Sequence, residues 1–367
     1  MLFEPPAFPL RYNSSVEIPE ADEEKVGQEL METMHKVSEG TLKDSGHADR
    51  SVHAKSHGIL QGELEVLPQS HISLAQGLFA KPGRYPIIMR FSTIPGDMLD
   101  DKVSTPRGLA IKVYGVEGDR LPGAEGQTQD FVLVNGPAFS ATNGKAFLAN
   151  LKLLASTTDK VEGLKIAVSA ALQPIEKALE NVGHPSPTLT TLGGQPETNI
   201  LGETYYSQAP ILYGDYIAKI AVAPISPDLK ALHGVPVDLK DKPNGLREAV
   251  LEFFGSHGGE WELKVQLCTN LIDMPVENAA KVWPEKKSPY IPVARIRVDP
   301  QTAWSEARSE AVDDGLAFSP WHGLAAHRPL GSIMRLRKQA YEMSARFRAE
   351  HNHHGLEEPR AFTSLPD

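Results

Sequence analysis

The sequence predicts an α+β fold, an antiparallel sheet or barrel with flanking helices. Three observations carry that reading. Short β-prone runs follow one another between residues 58 and 135 with only Gly and Pro punctuation between them. Helical spacing is confined to the N-terminal arm, to insertions after residue 140 and to the C-terminal end. The regular βα alternation of a doubly wound protein is missing, as are the GxGxxG and GxxxxGK(S/T) phosphate loops, which argues against a nucleotide enzyme.

Taken in order, residues 20–40 place Val26, Leu30, Met31, Met34 and Val37 at helical spacing among acids and lysines, giving an amphipathic surface helix. Residues 59–67, 85–93, 109–114 and 131–134 read as strands. Helical spacing returns over 147–154 and at Val161, Leu164, Val168 and Leu172, before Pro174 disturbs the next turn. Residues 183–202 are rich in Pro, Gly and Thr and read as a long loop, and 211–225 resumes strand texture. Leu246, Val250, Leu251 and Phe254 mark a further helix. In 261–268, Trp261, Leu263, Val265 and Leu267 alternate with Glu262, Lys264 and Gln266, which gives one buried and one wet face at period two. A strand over 291–298 precedes the last helix, from residue 330 to about 351, which has good helix formers and no internal Pro.

Composition narrows the function. The chain has 367 residues, 41% hydrophobic and 23% charged, as expected of a globular protein of one large domain or two. Thirty-seven basic against 47 acidic side chains leave a net charge of −10, which disfavours a nucleic-acid binder, so clustered arginines need a local reason. Cys268 is the only cysteine, which excludes an internal disulfide framework and Cys-rich metal or iron–sulfur sites. The first residues carry an acid and prolines where a signal peptide has a basic patch and an apolar run, and no stretch reaches a membrane span. A cytoplasmic protein that binds neither membrane nor nucleic acid is the expectation.

Four segments hold the candidate chemistry. On the last helix, Arg337, Tyr341 and Arg348 fall on one stripe with Ser344 and Ala345 between them. That stripe reads either as a solvated basic face or as a phenol whose pKa the guanidiniums lower until it can bind a metal. In the run from Arg50 to Gly58, His53 and His57 stand four residues apart, but the β-prone residues that follow disfavour a helical zinc pair. The third segment joins Arg90-Phe91-Ser92-Thr93 to Pro106-Arg107-Gly108, and the fourth is Asn135 before Gly136-Pro137-Ala138-Phe139.

Together these segments resemble the haem catalase superfamily, whose haem iron is held by a tyrosinate. The motifs occur in the family's order: His-Ala-Lys after a basic residue, Arg-Phe-Ser-Thr, Pro-Arg-Gly, Asn before Pro-x-Phe, Trp-Pro-Glu at 283–285, and Arg-x-x-x-Tyr. The resemblance implies an antiparallel β-barrel core of the catalase type. It implies an N-terminal arm and helix over 1–49, a single haem domain over 50–355 and a tail over 356–367. It also implies haem b as cofactor, Tyr341 as the iron ligand, Arg337 hydrogen-bonded to its phenolate, and His53 and Asn135 as catalytic residues on the opposite face. Ser92 would support His53, Arg50, Arg90 and Arg348 would hold the propionates, Phe139 would line the distal pocket, and Phe147 would stack on the macrocycle.

The implied activity is that of a catalase-related peroxidase. Hydrogen peroxide is reduced through an oxoferryl intermediate, and either a second peroxide or an organic electron donor supplies the electrons. The chain is short for the superfamily and would assemble as a homo-oligomer. Two alternatives stay open: a hydroperoxide-rearranging enzyme of the allene oxide synthase kind, and a non-catalytic haem-binding module.

Overall fold

The computed structural model describes residues 4–94, 96–155, 195–355 and 357–367. The helix expected around residues 161–172, and residues 183–194 of the expected loop, lie outside them.

Among the described residues nine strands form one antiparallel sheet: β1 (Ser56–Val66), β2 (Gly83–Thr93), β3 (Arg107–Tyr114), β4 (Thr128–Val134), β5 (Tyr205–Tyr206), β6 (Ile211–Tyr213), β7 (Tyr216–Pro224), β8 (Gly259–Leu267) and β9 (Ile291–Val298). Their order is β5-β4-β3-β2-β1-β9-β8-β7-β6, and a further β5–β7 pairing closes eight of them into a barrel. The helices are α1 (Glu23–Ser45), α2 (Gly144–Ala155), α3 (Pro227–Ala231), α4 (Gly245–Phe254), α5 (Glu306–Ser309) and α6 (Ser332–Asn352). This is the expected α+β architecture. Among the described residues no helix is long and apolar enough to cross a membrane.

Alternation explains the barrel. Leu60 and Leu64 of β1, Ile87, Met89 and Phe91 of β2, Leu109 and Ile111 of β3, and Phe131 and Leu133 of β4 join one buried core with Trp261, Leu263 and Val265 of β8. Two strand expectations need correcting. Residues 211–225 form a hairpin, because Gly214 turns the chain at φ +59 between β6 and β7. The outer face of β8 is wet only in part: Gln266 is buried, and its amide donates to the carbonyls of Trp283 and Ser288, whose segment covers that end.

Leu229 of α3 and Leu246, Val250 and Phe254 of α4 join the barrel core, whereas α1, α2 and α6 pack on one another. Val26, Leu30 and Met34 of α1 meet Leu148 and Leu151 of α2 and Leu336 and Ala340 of α6 in a separate apolar cluster. Arg335 fixes the start of α6 through ion pairs with Glu17, Glu23 and Glu277. The tail, residues 357–367, lies across the outer side of the sheet, with Phe362 and Leu365 packed on the cluster of Ile59, Ile88, Tyr114, Val312 and Phe318.

Candidate active site

Between the outer faces of β2–β4 and α6 is a cavity of about 450 Å³. His53, Ser92 and Gly108 line one side and Tyr341, Ser344, Ala345 and Arg348 the other. The stripe expected at helical spacing on the last helix is therefore present from Tyr341 to Arg348, facing the cavity.

His53 sits in the turn between α1 and β1, with its backbone N–H donating to Ile94 O at 2.7 Å. Its φ of +57 is a left-handed conformation that a side chain other than Gly adopts at a cost, and such outliers concentrate at functional sites. The ring lies over the Ser92–Gly108 pair of the β2–β3 ladder, with Nδ1 3.1 Å from Ser92 Oγ. A Cβ at residue 108 would stand 2.5 Å from that ring, so the Gly of Pro-Arg-Gly is a steric requirement of the histidine. Burial, followed by the nearby Arg90, Arg337 and Arg50, pushes the imidazole pKa down to about 3 and keeps the ring neutral.

Arg50, Arg90 and Arg348 form one wall of the cavity. Arg90 and Arg348 are buried. Arg50 Nη2 donates to the carbonyls of Val312 and Leu316, at 2.9 and 3.1 Å, and Arg90 Nη2 to Ala54 O at 2.8 Å. Asp313 is the carboxylate facing them, 2.5 Å from Arg90 Nε and 4.0 Å from Arg50 Nε. Burial, with mutual repulsion, pushes Arg50 well below the usual arginine range and Arg348 down to about 10. The Nε atoms of Arg50 and Arg348 are buried without a hydrogen-bond partner. A wall of three cations, one anion and two orphaned donors is built to receive negative charge.

Other expected site residues stand elsewhere. Asn135 is not among the residues lining the cavity. Its Oδ1 accepts from Arg107 N at 2.9 Å and its Nδ2 donates to Glu203 Oε2 at 3.3 Å, so the amide extends the β3–β4 ladder. Arg337 turns away from the phenol, with Nη1 donating to Met334 Sδ and the guanidinium over the Phe139 ring at 5.3 Å. Phe139 and Phe147 are not among the residues lining the cavity: they pair with each other, centroids 5.0 Å apart, both pack against the barrel core, and Phe147 also packs against the α1–α2–α6 cluster. His57 is buried on β1, 3.1 Å from Thr93 Oγ1, and shares no ligand site with His53.

Sequence reasoning missed His322, which also lines the cavity. Its Nδ1 is 3.0 Å from Glu358 Oε2 and 3.3 Å from Asp130 Oδ2. Burial works against its charge, but these two carboxylates overcome it and push the pKa up to about 9. Asp130, His322 and Glu358 have the spacing of a metal site, but the Lys112 ammonium pairs with both acids and already supplies the cation.

Residues 15–154 match the sequence model of the catalase family. Solved catalases share the architecture across most of this chain. A fungal catalase aligns at 18% identity and a TM-score of 0.60, covering 86% of this chain and 62% of its own. Catalase A from Saccharomyces cerevisiae aligns at 19% and 0.58, covering 85% and 63%. The chain has the catalase fold. A bacterial catalase agrees, at 18% and 0.57, covering 85% of this chain and 60% of its own. The likeness to catalases is thus one of fold over 86% of the chain and, over residues 15–154, of sequence. This chain spans about six-tenths of the length of the catalases it matches. Among curated proteins no relative matches it.

Proposed function

We propose that the cavity holds haem b with Tyr341 as the iron ligand, and that the chain is an oxidoreductase reducing hydrogen peroxide. One observation carries the reading: Tyr341 on α6 and His53 over the β2–β3 ladder line a single cavity that Arg50, Arg90 and Arg348 also line. The fit is supported by charge. The three guanidiniums outnumber Asp313, the carboxylate bonded to them, with Asp314 acting on Arg50 and Arg348 from further off, so the wall stays cationic towards two propionates, and the unpartnered Nε atoms of Arg50 and Arg348 are free to donate. When bound, a tyrosinate-ligated iron supplies the electron donation that favours O–O cleavage.

The chain's own part is proton handling and positioning. In the tautomer in which Nδ1 donates to Ser92 Oγ, the neutral His53 ring keeps a lone pair on Nε2, which takes a proton from one peroxide oxygen and returns it to the other. Gly108 leaves the ring room, and the left-handed backbone at residue 53 fixes its direction. Glu342 and Arg346, exposed and lining the cavity, suit a polar organic donor as reductant beside a second peroxide.

The test is absorption spectroscopy of the purified protein followed by parallel assays of oxygen evolution and donor oxidation. The reading expects a bound ferric haem and turnover that His53→Ala abolishes while the haem stays. Parent-level turnover in His53→Ala would remove the proton-transfer assignment.

A further inference from the structure

Asp313 lies at the end of the turn Glu310–Asp314 that follows α5. The sequence motifs did not point to it. One carboxyl residue touches the whole arginine wall: Oδ1 accepts from Arg90 Nε at 2.5 Å and faces Arg50 Nε at 4.0 Å, and its backbone carbonyl accepts from Arg348 Nη1 at 2.5 Å. Its second oxygen accepts from Ser56 Oγ and Ser309 Oγ, both at 2.7 Å, so the carboxylate cannot swing away from the arginines without losing two hydrogen bonds. Against the desolvation of burial, Arg90, Arg50 and the Ser56 hydroxyl hold its pKa below the usual range, so it is ionised wherever the arginines are charged.

We infer that Asp313 is a positioning residue for the ligand's carboxylates: it aims the three guanidiniums and lowers the wall's positive charge by one, leaving a cationic wall for a porphyrin that carries two ionised carboxylates. This rests on the haem reading above. Removing the charge while keeping the shape, as in Asp313→Asn, leaves an acceptor for Arg90 but raises the wall's charge by one. The added positive charge acts on a charged ligand and not on a neutral one. A residue that merely shaped the turn would affect both alike.

The experiment compares binding of ferric haem with binding of its dimethyl ester, in which both carboxylates are neutral, to the haem-free full chain and to Asp313→Asn at low salt. The expected result is that the preference for the diacid over the diester rises at least about tenfold in the variant. An unchanged or smaller preference overturns the proposal. If Asp313→Asn does not fold, the double variant Asp313→Asn/Arg348→Gln, which returns the wall to the parent's charge, decides. Folding with the parent's preference supports the charge-setting role, and failure of that protein to fold shows that Asp313 supplies shape and overturns it. If the parent takes up neither ligand, the haem reading itself falls. Uptake of both ligands, with no change of preference in the variant, removes only the role of Asp313.

Discussion

Along β2, Ile87, Met89 and Phe91 enter the barrel core, whereas Ile88, Arg90 and Ser92 face the helices and the cavity. β3 repeats the division, with Leu109 and Ile111 inside and Gly108, Ala110 and Lys112 outside. The inner face gains stability by removing apolar area from water, about 1.5–3 kcal/mol for each large side chain. The outer face buries charge, which is costly unless every group is paired, and at Arg50 and Arg348 the pairing is incomplete. The difference teaches that alternate residues of one strand answer to different demands, packing on one side and ligand charge on the other.

That contrast can be broken from either face. The largest effect belongs to the outer face and to activity alone: His53→Ala lowers peroxide turnover by about 10² to 10⁴ with little change in melting temperature, checked by steady-state assay and calorimetry. On the inner face Phe91→Ala costs about 3–5 kcal/mol of stability by denaturant unfolding, with the spectrum of any surviving haem complex unchanged. Lys112→Met tests whether the outer face also contributes to stability. It leaves the buried Asp130 and Glu358 with the protonated His322 ring in place of two shared cations and costs about 3 kcal/mol by the same measurement. Gly108→Ala sharpens the contrast at one methyl group: it costs about 1–3 kcal/mol and displaces the His53 ring, so turnover falls more than stability.

The smallest effect is a pH slope. The folded-state pKa of His322, about 9, lies above the ordinary value of 6.5, so its contribution to stability is complete below pH 6.5 and is lost as pH rises through 9. Unfolding measured between pH 6 and 10 shows this decline in the parent, and His322→Gln flattens it.

Much of this was legible in the chain. β-prone runs between Gly and Pro punctuation gave β1–β4, period two gave β8, and period 3.6 gave the stripe from Tyr341 to Arg348 that now faces the cavity. Motif order pointed to His53, Ser92 and the three arginines, and the fold brings them together. What escaped has a common cause: side chains choose among tertiary neighbours that local sequence does not contain. Asn135 answers to the Arg107 backbone and to Glu203, and Arg337 to the Phe139 ring. Asp313 lies 223 residues from Arg90, and Glu358 lies 246 from Lys112, in stretches that read as an ordinary turn and tail. Gly108 was visible only as part of a motif, and its reason appears once the His53 ring is seen above it.

The most direct test of the central claim is the absorption spectrum of the protein reconstituted with ferric haem, taken beside that of Tyr341→Phe. The account predicts a high-spin ferric complex with tyrosinate character in the parent and loss of that character in the variant. Identical spectra and affinities in the two proteins, or a parent that takes up no haem, would contradict it.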